Sequence, residues 1–228
     1  MLYNLKLHDM KKFILVLAAG VFLAACGESK KTAEETQEVA AASTEAITYT
    51  VDPATSKVEW TGSKIADTKH NGTVSLSSGS LSFEGENLTA GNFVIDMNTI
   101  SNGDLTEETG QSKLVGHLKG ADFFMVDTFP TASFEISSVE KLEGSEAGTH
   151  TVKGNLTIKG QTHGITFPAT IAQTEAGATA IASFEINRNE WGIVWGGTQE
   201  PNQGVIDFLK NNLVNDMITF NVSLVAGK

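Results

Sequence analysis

From Ile47 to Leu224 the chain alternates apolar and polar residues almost without pause, and a period of two commits it to β-strands with one buried face. Ile47, Tyr49 and Val51 share a parity, as do Val58 and Trp60, Val74 and Leu76, Leu81 and Phe83, and Phe93, Ile95 and Met97. Further on come Phe134 and Ile136; Val152, Gly154, Leu156 and Ile158; Ile165, Phe167, Ala169 and Ile171; Ala180, Ala182, Phe184 and Ile186; and Ile218, Phe220, Val222 and Leu224. The opposite faces carry Thr, Ser, Lys, Glu and Asn, so one side of each strand is wet and the pairing is antiparallel. Turn residues at Ser78-Gly79, Glu84–Asn87, Glu143-Gly144 and Gly160–Gly164 divide the runs into roughly eight strands. Two packed sheets or a closed barrel would bury such faces. The strands are long, and closure removes edges that long strands would otherwise expose. The expected fold is therefore all-β, an eight-stranded antiparallel barrel with one or two short helices at its ends.

Two segments break the alternation. Asp104–Gly120 contains a short helical pattern, Leu114, Val115 and Leu118, stopped at Gly120, a residue able to take the positive φ that ends helices. Phe123 and Phe124 follow, and Pro130 then forces an extended entry into the next strand. This reads as a plug at one barrel end, with docked connecting loops as the alternative. In Gly196–Asn215, Val205, Leu209 and Leu213 fall at i, i+4 and i+8, which suits a short helix in a lid or in a plain connection.

The start of the chain reads as an address. Lys11 and Lys12 precede an apolar run, Phe13–Ala25, shorter than the about 20 residues of a membrane span and suited to a secretory leader. It ends in Leu23-Ala24-Ala25-Cys26, which looks like a lipobox cut before an acylated cysteine. Residues 1–25 are thus expected to be a lipoprotein signal peptide, with Met10 a better start than Met1. Residues 26–46, whose one large apolar residue is Val39, are expected to be a lipidated Cys26 and a flexible tether of about 25 Å reach. Residues 47–228 form one domain. The expected location is the envelope of a bacterium, at the outer membrane facing the periplasm, held to the membrane through acylated Cys26. Gly27 takes the place of the aspartate that retains many lipoproteins at an inner membrane.

A net charge of −11 becomes more negative once Lys6, Lys11 and Lys12 leave with the leader, and such a surface disfavours nucleic acid. No G-x-S-x-G, P-loop or H-E-x-x-H motif occurs. The histidines at 70, 117, 150 and 163 stand apart, without a second ligand at metal spacing, and no metal, cofactor or catalytic residue is expected. Arg188 is the only arginine. Its planar five-donor head suits either a structural clamp at a strand end or the grip on a polar ligand head at the barrel mouth. Trp191 and Trp195, in a glycine-rich stretch, suit core or rim packing, and a sugar platform stays open.

Together these pieces resemble the YceI-like family, the polyisoprenoid-binding, lipocalin-like domains, in a lipoprotein form. The residues that carry the resemblance are Asp52-Pro53 before Val58-Glu59-Trp60, Lys69-His70-Asn71-Gly72, and His117-Leu118-Lys119 with Asp122-Phe123-Phe124 and Phe129-Pro130. Gly154–Gly160, Arg188 with Trp191-Gly192-Ile193, and the closing strand Asp216–Leu224 complete it. The match spans about Ile47 to Ala226. Met125 stands where an aspartate is usual, Gly120 replaces a common serine, and Gly196–Asn215 diverges. The resemblance implies a barrel with a helix across one end and an elongated apolar cavity, which in some members holds a polyisoprenoid such as a quinone tail.

An eight-stranded barrel is either filled by side chains or hollow enough for one small ligand. Gly154, Ala169, Ala180 and Ala182 are small inward residues expected to leave room. The candidate cavity residues are Trp60, Phe93, Ile95, Phe123, Phe124, Phe134, Leu156, Ile158, Phe167, Ala180, Ala182, Phe184, Trp191 and Phe220, with Arg188 and His117 at a polar mouth. The expected partner is a long-chain apolar lipid or quinone, without a cofactor, and a homodimer is left open. The alternative is a carbohydrate- or protein-binding barrel with no internal ligand.

Overall fold

A computed structural model of the chain describes residues 30–64, 68–195 and 213–228. The signal peptide, Cys26, and Val205 and Leu209 of the candidate lid lie outside the described residues. Nine strand segments appear: β1 Ile47–Val51, β2 Lys57–Ser63, β3 Lys69–Glu84, β4 Asn87–Asp96, β5 Thr131–Lys141, β6 His150–Ile158, β7 Gln161–Gln173, β8 Gly177–Asn187 and β9 Met217–Gly227. Each of β2 to β9 pairs antiparallel with the next, and β2 pairs with β9 to close the ring. β1 runs on the same line as β2, pairing with the far halves of β3 and β9. The barrel therefore has eight staves, one of them made of β1 and β2 in succession.

One end of this barrel is plain. Tight hairpins join β3 to β4 and β7 to β8, and Gly85 (φ 60°) makes the first of them. Inside that end Tyr49 and Phe83 meet edge to face with ring centres 5.8 Å apart, both almost wholly buried. The other end, the mouth, gathers the β2–β3 connection, the β6–β7 hairpin and every long excursion. The 3-10 turn Met97–Thr99, helix α1 (Gln111–Lys119) and the 3-10 turn Arg188–Trp191 all lie there. The β6–β7 hairpin turns on Lys159 (φ 52°) and Gly160 (φ 72°), the paired positive angles of a two-residue turn that follows strand twist.

Four local expectations are corrected. Ser78-Gly79 is not a turn, because β3 runs through it for 16 residues. The switch of buried parity from Val74 and Leu76 to Leu81 and Phe83 comes from a bulge between Leu76 and Ser78, where one extra residue flips the face. The helix does end at Gly120, but with φ −71°. The left-handed residues of this segment are Gly110, before α1, and Met125 after it.

The expected flexible tether is instead laid along the outer wall from Lys30 to Ala40. Thr32 and Ala33 donate three hydrogen bonds of 2.7–2.8 Å to one oxygen of Glu190. Glu34 pairs with Gly164 in both directions, and Gln37 exchanges two bonds with the buried Asn155 amide. The Ala40 amide donates to the carbonyl of Ile136. Polar groups hold the strap, so it needs no apolar stripe. A β-carbon on Gly164 would come within 2.4 Å of the Glu35 carbonyl, so only glycine lets the strap lie this close.

Gly154 also departs from expectation. It leaves no empty room, because the ring of Phe134 covers the space where its β-carbon would be, 2.4 Å from the nearest ring atom. Gly154→Ala should overpack this wall and cost about 1–3 kcal/mol, read as a lower urea midpoint with an unchanged slope.

Candidate functional site

Below α1 the barrel is hollow, with a cavity of about 530 Å³, within the roughly 300–1,000 Å³ range of ligand pockets. Five phenylalanines form a belt around it, one from each of β4, β5, β7, β8 and β9. Phe93 and Phe134 lie 6.3 Å apart, Phe134 and Phe167 5.5 Å, Phe167 and Phe184 4.4 Å, and Phe184 and Phe220 5.7 Å. β6 contributes Gly154 at this level instead of a ring, and the gap lets Phe134 reach Phe167 across it. Trp60, Ile95, Leu156 and Ile158 line the same space. Toward the plain end the wall changes to methyl groups: Ala182 lies opposite Ala169 on β7 and Val222 on β9, and Ala180 opposite Ile171 and Leu224.

The mouth is covered by α1, whose Leu114 and Leu118, one turn apart, both face the cavity. His117 and Lys119 in its last turn suit the negative end of the helix dipole. His117 lines the cavity too, 3.2 Å from the Asp122 carboxylate, and its ring stands edge-on to Trp195 at 4.4 Å and to Phe123 at 5.1 Å. Phe124 completes this lining. The Ile100–Asp104 segment folds over the rim of β3. The Trp60 indole N–H donates to the Ser101 carbonyl at 3.1 Å, and a β-carbon on Gly72 would strike that same carbonyl. Asp104 holds the rim through the Asn71 amide, the His70 ring and the Asn102 side chain. Burial pushes the Asp104 carboxyl up, but these hydrogen bonds and the His70 charge outweigh it and hold it below its ordinary value. Its histidine and its amides are thereby committed to holding a loop.

Thirteen of the fourteen cavity candidates read from the sequence line this one space, and so do His117 and Arg188. Trp191 does not. It is 0 % exposed, packed edge-on against His163 at 5.2 Å with its indole N–H on the Leu156 carbonyl. Trp195, four residues on, is the tryptophan that reaches the cavity. Nothing in the sequence separates the two, since the choice depends on the 3-10 turn Arg188–Trp191 and the left-handed Gly192 (φ 68°) after it. Arg188 touches the cavity, yet its donors serve the chain: Nε to the Asn215 carbonyl at 3.0 Å, one terminal nitrogen to Ile193 and the other to Val214 at 3.2 Å. With Asp216 3.7 Å away and no exposure, it acts as the loop clamp and not as a grip on a ligand head. Apart from Arg188, the titratable side chains on the cavity wall are Lys64, His70, Lys113 and His117, all of them at the mouth. Among the described residues, no group of three His, Cys, Asp or Glu is placed to hold a metal.

A model of the YceI-like domain matches residues 49–226. The chain belongs to the YceI-like family. This YceI-like barrel is similar in structure to BcnA of Burkholderia cenocepacia, with 24 % identity and a TM-score of 0.59 over 77 % of this chain and 99 % of that one. A polyisoprenoid binding domain from Saccharophagus degradans, implicated in plant cell wall breakdown, has 15 % identity and a TM-score of 0.52 over 78 % and 97 %. A Campylobacter jejuni YceI protein has 16 % identity and a TM-score of 0.46 over 96 % and 99 %. For the first two the likeness is one of fold. No curated protein matches the chain.

Proposed function

We propose that this YceI-like protein is a lipid-anchored, extracytoplasmic carrier that holds a long apolar chain, a polyisoprenoid or isoprenoid-quinone-like molecule, inside its barrel. The observation that supports this most is a hollow interior of about 530 Å³ whose walls below the mouth are aliphatic and aromatic, with polar and ionisable groups only at the mouth. Such a wall offers no directional contact to a sugar, but rewards each isoprene unit of five carbons with about 4 kcal/mol of gross burial. The name of the Saccharophagus domain is in keeping with that chemistry. The buried position of Trp191 removes the two-ring platform on which a carbohydrate reading rested. Binding and not catalysis is the proposed activity. The anchor is Cys26, and the proposed place is the cell envelope, at the outer membrane facing the periplasm.

Mass spectrometry of protein extracted from its own membranes tests both halves. Under native conditions an apolar adduct that organic solvent removes should accompany the barrel. After denaturation, fatty acyl groups should remain on the peptide beginning at Cys26. A bare barrel in repeated preparations would overturn the carrier, and an unacylated Cys26 would overturn the anchor.

A further inference from the structure

We infer that the mouth of the barrel is a bilayer-docking face, held against the membrane by the N-terminal strap so that a ligand passes between cavity and lipid without crossing water. The inference rests on the proposal that Cys26 is the anchored residue, and it adds an orientation to it. The strap meets the barrel at the mouth: the Lys30 carbonyl accepts a hydrogen bond from the side chain of Asn187, the last residue of β8. Thr32 is bonded both to the Asn187 amide and to Glu190 in the turn that follows. Cys26 is four residues before Lys30, so its reach from this point is at most about 14 Å. An 11-residue strand such as β8, tilted as barrel strands are, spans about 28 Å of barrel height. The anchor is therefore too short to let the barrel stand on its plain end.

The surfaces agree with this polarity. Met125 and Val194, 37 % and 45 % exposed, project from the two mouth loops that follow α1 and the Arg188–Trp191 turn. The plain-end hairpins carry Glu84, Glu86, Glu143, Glu146 and Glu175 with no lysine in their turns. At the mouth Glu107, Glu108, Asp122 and Asp127 are interleaved with Lys113 and Lys119, so an anionic surface is repelled less there. Among the described residues Ile47 at the plain end and Val39 on the strap are single exposed apolar side chains, and the competing pair is Ile181 and Val225 on the outer wall of β8 and β9. It would favour a barrel lying on its side.

Photo-crosslinking decides between these orientations. The mature chain, beginning at Cys26, is coupled through that thiol to a maleimide-bearing phospholipid in phosphatidylcholine vesicles, so the result does not depend on whether the cell acylates the residue. Benzoylphenylalanine is placed in turn at Met125, Ile181 and Glu86, and crosslinks to phospholipid are counted after illumination. The expected yield from Met125 exceeds the other two by at least about fivefold, because a short link holds that face at high local lipid concentration. Gly164→Val, which displaces the strap, should bring the ratio below about twofold by lengthening the free link. Asn155→Ala, which removes one clamp without adding bulk, should act in the same direction. Equal yields from Met125 and Glu86, or the highest yield from Ile181, would overturn the docking face while leaving the carrier proposal standing.

Discussion

Ala182→Phe should cut uptake of a fluorescent polyisoprenoid by more than tenfold while leaving the barrel as stable as before. Ala182 looks into the methyl-walled part of the cavity, between Ala169 and Val222. A ring there displaces at least one isoprene unit, and about 4 kcal/mol of lost burial corresponds to a factor of roughly a thousand in affinity. The ring enters open space and buries its own surface, so the urea midpoint should stay within about 1 kcal/mol of the parent. Thr179→Ala, three positions away on the wet face between Ala178 and Ala180, should change neither measurement and serves as the control. A solid interior would behave in the opposite way, with a loss of about 1–3 kcal/mol from overpacking and no probe binding by either protein. Full uptake by a folded Ala182→Phe protein would place any ligand elsewhere.

The largest loss of stability is expected from Arg188→Met. The substitution keeps most of the volume but removes the donors that serve the carbonyls of Ile193, Val214 and Asn215. It also leaves Asp216 without its nearest guanidinium. Breaking a buried charged network by deleting one partner costs about 3–5 kcal/mol. For a chain of this size that lowers the melting temperature by about 6–20 °C. Arg188→Lys should recover little, since one ammonium cannot reach three carbonyls spread around a planar fork. An unchanged melting temperature with lost probe binding would return Arg188 to the role of a ligand grip.

The barrel and its inner face were legible because period-two patterning reports orientation directly. Phe134, Phe167, Phe184 and Phe220 each fall on the parity that the structure turns inward. What escaped is information that parity does not carry. Gly154 reads as empty space in one dimension and turns out to be the seat of a ring from the neighbouring strand. The bulge in β3 imitates a turn because both place a small residue where the alternation slips. The strap escaped for a different reason. Its partners Asn155, Gly164, Asn187 and Glu190 are scattered through the last third of the chain, and hydrogen bonds to a wall leave no hydrophobic signature. Arg188 stands out in the sequence by its rarity, but its carbonyl partners are set by loop geometry that no spacing rule encodes.

The pairing of β2 with β9 joins Lys57–Thr61 to Thr219–Ser223, and β1 also waits on the same partner at Ala226 and Gly227. Ring closure thus waits on β9. Until β9 is in place, β8 and β2 each present an unpaired edge, and β1 lacks one of its two neighbours. Contacts of such sequence separation make folding slow, and open edges invite pairing between chains. A chain stalled or clipped before Met217 would therefore be an aggregating ribbon and not a smaller barrel, while an intact one hides its edges only when its final strand arrives.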